Sequence, residues 1–164
     1  MSGAGQTTAD KRSKTGKRRS AARLAAVQAL YEMDMVGAPA DAVLAEFMAK
    51  RWRLGAGEAE DVMAEPDAGW LADLVNGVSA GAEELDNAIA PALSPDLAIG
   101  RLETLLRVLL RAGAYELTAK PDVPAAAVID EYVEVANAFF DGKEAALVNG
   151  VLDRLARQVR AGEL

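Results

Sequence analysis

The chain has 164 residues, a formal net charge of −7, no cysteine and no histidine. That length is enough to bury one core, or two small lobes sharing one. Without His or Cys the commonest general bases, nucleophiles and transition-metal ligands are missing, so neither catalysis nor a cofactor or metal is expected. No run approaches the ~18 apolar residues of a membrane helix, and the lack of thiols fits a reducing, cytoplasmic setting. Ala, Leu, Val, Glu and Arg dominate and β-branched runs are scarce, which predicts an all-α protein.

Charge is unevenly spread. Residues 1–23 hold seven of the 18 Lys and Arg and a single acid, Asp10, so this arm is +6. The remaining 11 bases and 24 acids leave the body at −13. A basic end on an acidic body points to a polyanionic partner for that end.

In chain order, residues 1–16 are rich in Gly, Ser, Thr and Lys and read as a disordered basic tail ahead of one helical domain, 17–164. Residues 1–20 contain no Leu, Phe or Ile, so they make neither the apolar centre of a secretory signal nor the amphipathic face of a transit peptide. Helix one is predicted from about Lys17 to Met35, with Leu24, Val27, Tyr31 and Met35 on one apolar face, ended by Gly37 and Pro39. Asp41 starts a second helix carrying Val43, Leu44, Phe47 and Met48 and closing on Lys50-Arg51-Trp52-Arg53. Residues 55–66 read as an acidic loop.

A third helix begins near Asp67 with Trp70, Leu71, Leu74 and Val78, and a short fourth spans Glu83 to Ile89. Pro95 and Asp96 open a long fifth helix to about Thr118, apolar around much of its girth and so buried by several neighbours. Pro124 suits the first turn of a sixth, which buries Val128, Tyr132, Val135 and Phe139, and Gly142 suits its C-cap. The seventh carries Val148, Val151, Leu152, Leu155 and Val159 on one side. Leu74-Val75-Asn76-Gly77-Val78 recurs as Leu147-Val148-Asn149-Gly150-Val151. Glycine inside a helix costs about 1 kcal/mol against alanine, so each copy reads as a close helix crossing, and the echo hints at two similar helical lobes.

Three segments, in order and in register, resemble the NusB transcription antitermination family. They are Arg18-Arg19-Ser20-Ala21-Ala22-Arg23 leading into Ala26-Val27-Gln28-Ala29-Leu30-Tyr31; Leu110-Arg111-Ala112-Gly113-Ala114-Tyr115-Glu116-Leu117 followed by Asp122-Val123-Pro124; and Leu147-Val148-Asn149-Gly150-Val151-Leu152-Asp153. The resemblance covers roughly residues 17–160. It implies a two-lobed all-helical fold without catalysis or cofactor. It implies binding of the single-stranded boxA element of nascent RNA jointly with NusE, a small-subunit ribosomal protein. It also implies contact with the RNA polymerase elongation complex through other Nus factors on ribosomal RNA operons. The chain departs from the family pattern in its longer segment between helices one and three. Lys143 stands where relatives often place an acid, and Leu147 where they place phenylalanine.

Lys17, Arg18, Arg19 and Arg23 are the leading RNA contacts: cations in a first helical turn oppose the dipole, whereas a phosphate there would be held by backbone N–H groups and Arg forks. Gln28 could read a base edge or simply favour helix. Tyr31, on the stripe with Leu24 and Val27, is read first as core packing with its hydroxyl reaching the surface, and as an RNA contact second. Lys143 could add a phosphate contact. Trp52 between Arg51 and Arg53 is better read as packing than as a stacking platform. For a protein partner the candidates are Arg107, Arg111 and Tyr115 on the fifth helix, and Glu131 and Glu134 beside Asp130 on the sixth. Against this, Glu103–Arg107 has the order of an ordinary i,i+4 pair, and Arg154, Arg157 and Arg160 suit the end of the last helix. Two rival functions remain at this point: a helical protein–protein adapter, and a stand-alone relative of the helical domains found ahead of RNA methyltransferases. The sequence leaves open whether self-association as a homodimer hides an apolar face.

Overall fold

The computed structural model describes residues 3–51 and 65–164, with side chains from Lys14 to Ala49 and from Glu65 onward. Trp52, Arg53 and most of the acidic 55–66 loop lie outside the described residues. Seven α-helices and no strand are present among those described.

Helix α1 runs from Gly3 to Val36, starting well before the expected Lys17. No proline interrupts the arm, and Gln6, Ala9, Lys11, Arg12 and Lys14 favour helix, so its backbone extends the helix that the body nucleates. Lys17, Arg18, Arg19 and Arg23 consequently lie inside the helix and not in its first turn, which removes the dipole penalty. Gly37, at φ +69°, closes α1 with its N–H on the Met33 carbonyl at 2.8 Å.

Helix α2 (Ala40–Glu46) passes into a π-turn over Phe47–Arg51 that buries Phe47. Helix α3 (Ala68–Ala80) begins as predicted at Asp67, whose carboxylate accepts the Trp70 N–H at 3.0 Å. Helix α4 (Ala82–Ile89) ends in a 3₁₀ turn, Ala90–Ala92.

The central helix α5 spans Thr104–Ala119, shorter than the predicted start near Pro95. A 3₁₀ turn at Ile99–Arg101 and an extended Leu102 come first. Gly100 weakens any continuous helix there, and the extended backbone delivers Leu102 into the core. Helices α6 (Ala125–Phe139) and α7 (Glu144–Val159) form the C-terminal pair. Pro124 is the residue before α6 and not its first turn, and α6 ends at Phe140 before Gly142 is reached.

Helices α1 to α3 make one side of the molecule and α4 to α7 the other, with α5 packed against α1, α3, α4, α6 and α7. One core runs through both sides, from Ala22 and Val27 through Leu109 and Leu110 to Leu152 and Leu155.

The repeated motif has two different uses. A methyl group at Gly77 would lie 2.6 Å from the Tyr115 hydroxyl and nearer still to its ring, so α3 and α5 do cross closely there. At Gly150 the nearest atom is Arg154 Nη1 at 3.4 Å, so no helix presses on it. The second close crossing is at Gly113, where a methyl group would meet Leu152 Cδ1 at 2.8 Å.

The C-terminal arginines hold structure in place. Arg160 reaches back to the open end of α5: Nε donates to the Leu117 carbonyl at 2.9 Å, Nη2 to those of Lys120 at 2.7 Å and Glu116 at 3.2 Å, and Nη1 to that of Val123. Glu163 then accepts the Ala125 N–H at 2.7 Å and covers the start of α6. Arg160→Ala removes four hydrogen bonds at once, leaving the Leu117 and Val123 carbonyls without this donor while those of Glu116 and Lys120 keep a backbone N–H. It is expected to cost about 2–3 kcal/mol, read as a lower midpoint in urea with unchanged slope.

Candidate nucleic-acid interface

The N-terminal cations part company in space. Arg23 faces inward and is 4% exposed. Its Nε and Nη2 donate to Glu116 Oε2 and Oε1 of α5 at 2.8 and 2.9 Å, a buried bidentate pair. Tyr132 of α6 donates its hydroxyl to the same carboxylate, and Glu131 stands 3.6 Å from Arg23 Nη1. Burial alone would pull the guanidinium down, but the hydrogen bonds and charge of Glu116 outweigh it and hold it above the ordinary arginine value. Burial, with the Glu116 charge behind it, pushes the Tyr132 phenol well up, so it stays a donor. Arg23, expected from the sequence among the RNA contacts, therefore ties α1 to α5 and α6 with its guanidinium turned away from solvent. The sequence held a signal for it: Glu116 falls seven residues after Leu109, on the buried face of α5, and a carboxylate there requires a cation.

Lys17 and Arg18 point to solvent. Arg18 keeps a loose 3.4 Å hydrogen bond from Nε to the Glu65 carbonyl. Arg19 is half-buried and lies on the Trp70 indole, its Cζ 4.3 Å from the ring centre. Lys120, at the end of α5, approaches the same ring to 5.0 Å and pairs with Asp73. Lys120 holds the Asp73 carboxyl below its usual range, helped by the Tyr115 hydroxyl, which donates to Asp73 Oδ1 at 3.0 Å.

Farther along α1, Gln28 and Tyr31 line an open groove with Glu32, Met35, Val36, Leu105 and Phe139. Tyr31 is 37% exposed and Met35 59%, so the apolar stripe predicted for α1 leaves the core after Val27. Phe139, read from the sequence as core, is half-exposed at the groove. An aromatic pair beside a carboxamide on an open face can stack and hydrogen-bond unpaired bases. Lys143, exposed on the turn into α7, follows Phe139 by one short loop.

Most of the residues expected to meet a protein partner are committed within the fold. Arg111 makes a fork with Asp86 of α4, both bonds at 2.7 Å. Arg107 turns to Thr104 and, at 3.7 Å, to Asp34 of α1, so the Glu103–Arg107 pair does not form; Glu103 precedes α5 with extended backbone. Tyr115 packs on Gly77 and holds Asp73. Glu131 accepts the Ser20 hydroxyl at 2.8 and 2.9 Å. Only Asp130 and Glu134 keep their carboxylates in solvent. Sequence periodicity cannot distinguish these cases, because each partner lies on a different helix.

Among the described residues no His, Cys, Asp and Glu group could hold a metal, and no helix is long and apolar enough to cross a membrane. What the structure presents is an all-helical scaffold with exposed cations and an aromatic groove along one helix, the constitution of a nucleic-acid-binding regulator. The chain belongs to the NusB family, whose pattern matches residues 20–157. It is 49% identical to the transcription antitermination protein NusB of Rhizobium leguminosarum bv. trifolii over 90% of this chain and 91% of that one. The NusB of Bradyrhizobium diazoefficiens is 47% identical over 92% and 90%. In three dimensions the fold superposes on the NusB of T. maritima with a TM-score of 0.67 at 28% identity, over 85% of this chain and 91% of that one. The chain is accordingly a non-catalytic transcription antitermination factor.

Proposed function

We propose that this factor binds the boxA element of nascent ribosomal RNA together with NusE, in the cytoplasm, and so joins the polymerase elongation complex. The observation that carries the reading is the alignment, along α1, of exposed cations (Lys17 and Arg18) with the open groove of Gln28, Tyr31 and Phe139. Phosphates supply affinity at the first and bases supply selectivity at the second. Lys11, Arg12 and Lys14 of the arm add to the electrostatic capture, and Lys143 adds one more cation beyond Phe139. The exposed carboxylates of Asp130 and Glu134 suit a basic ribosomal protein and would speed its association.

The division between affinity and selectivity is testable. With NusE present, Tyr31→Ala is expected to weaken boxA binding about 10-fold through the loss of one stacked base. Gln28→Ala, which removes base-edge hydrogen bonds, should weaken boxA while barely changing affinity for a scrambled RNA. Equal binding of wild type and both variants to boxA would remove the groove from the RNA path.

A further inference from the structure

Around Trp70 the charges do not balance. Three cations crowd one indole: Arg19 at 4.3 Å from the ring centre, Lys120 at 5.0 Å and Arg23 at 5.7 Å. Arg23 is neutralised by Glu116 and Lys120 by Asp73. Arg19 has no ion pair among the described residues, and its Nε finds no acceptor; nor does the indole N–H of Trp70. Two unsatisfied donors side by side represent a standing cost unless an acceptor arrives. The neighbouring exposed cations are Lys17 and Arg18, two residues and one residue before Arg19. Lys120 keeps 27% of its side chain in solvent, enough to swing from Asp73 without unpacking its stem.

We propose that Arg19 and Lys120, braced on the ring of Trp70, form a phosphate-binding station for a single-stranded RNA backbone at the junction of α1, α3 and α5. The inference rests on the RNA-binding reading above and extends the strand's path away from the groove, toward the end of α5. Lys120 exchanges the Asp73 carboxylate for a phosphodiester oxygen, and Arg19 gains the acceptor that it lacks. Trp70 serves as the platform that keeps both cations extended. A phosphate contact carries no base preference, so the station raises affinity for every sequence alike.

The test uses the full chain with a short boxA RNA and a scrambled control, across a salt series, for wild type, Lys120→Gln, Lys120→Arg and Lys17→Ala/Arg18→Ala. The station predicts that Lys120→Gln weakens both RNAs by the same factor, about 3–10-fold, and makes the log–log salt slope shallower by about 0.7, while Lys120→Arg stays near wild type. Trp70 emission, isolated in a Trp52→Phe background, should respond to RNA and lose part of that response in Lys120→Gln. A Lys120→Gln protein that melts earlier but keeps wild-type affinity and slope would make the cluster a structural clasp and overturn the inference. If that happens while Lys17→Ala/Arg18→Ala still weakens binding, the main reading survives alone. Wild-type protein that shows no salt-dependent binding overturns both.

Discussion

Glu116→Ala is expected to be the most damaging single substitution in the molecule. It leaves the Arg23 guanidinium, 4% exposed, with only the more distant Glu131 carboxylate at 3.6 Å and strips the Tyr132 hydroxyl of its acceptor. Breaking one side of a buried pair typically costs about 3–5 kcal/mol, and in a domain of this size each kcal/mol lowers the melting temperature by about 2–4 °C. A fall of roughly 10–15 °C by calorimetry is the expected reading. Glu116→Gln, which can still accept hydrogen bonds, should lose less. The paired replacement Arg23→Met/Glu116→Leu should recover much of the loss, because removing both charges also removes their desolvation cost. An unchanged melting temperature for Glu116→Ala would mean that Arg23 is not held as described.

The second large effect divides the two copies of one motif. Gly77→Ala drives a methyl group into the Tyr115 ring, which must leave and take its hydrogen bond to Asp73 with it. Overpacking of this kind costs about 1–3 kcal/mol. Gly150→Ala meets only the flexible end of Arg154 at 3.4 Å, so the helix-propensity gain of up to about 1 kcal/mol should appear as added stability. The two variants, melted side by side, should therefore shift in opposite directions. Shifts of the same sign would show that the motif, and not its surroundings, sets the outcome.

Much of this fold was legible because helical periodicity is a local property. Leu71, Leu74 and Val78, like Val148, Val151, Leu152 and Leu155, are buried where their spacing put them. Asp67 and Gly37 punctuate the chain through their own backbone chemistry. Relations between helices were not legible. Arg23 lies in the same basic run as Arg18 and Arg19, and only Glu116, on a helix far along the chain, separates a buried clasp from a surface cation. Arg111 reads from the sequence as a candidate partner contact, and only Asp86 of α4, on another helix, shows where its fork goes. Tyr31 and Met35 continue the α1 stripe into solvent, while Leu30 and Met33 on the adjoining face keep α1 packed on the core. Tyr31 and Met35 line the groove, and Phe139 joins it from α6.

The measurement that bears most directly on the account is the affinity of wild type, Arg23→Lys and Lys17→Ala/Arg18→Ala for boxA and scrambled RNA, with and without NusE, at two salt concentrations. The account predicts boxA preference that grows with NusE, a shallower salt slope by about 0.7 for each exposed cation removed, and nearly wild-type RNA binding by folded Arg23→Lys despite lower stability. Equal weak binding of both RNAs, untouched by Lys17→Ala/Arg18→Ala, would contradict it.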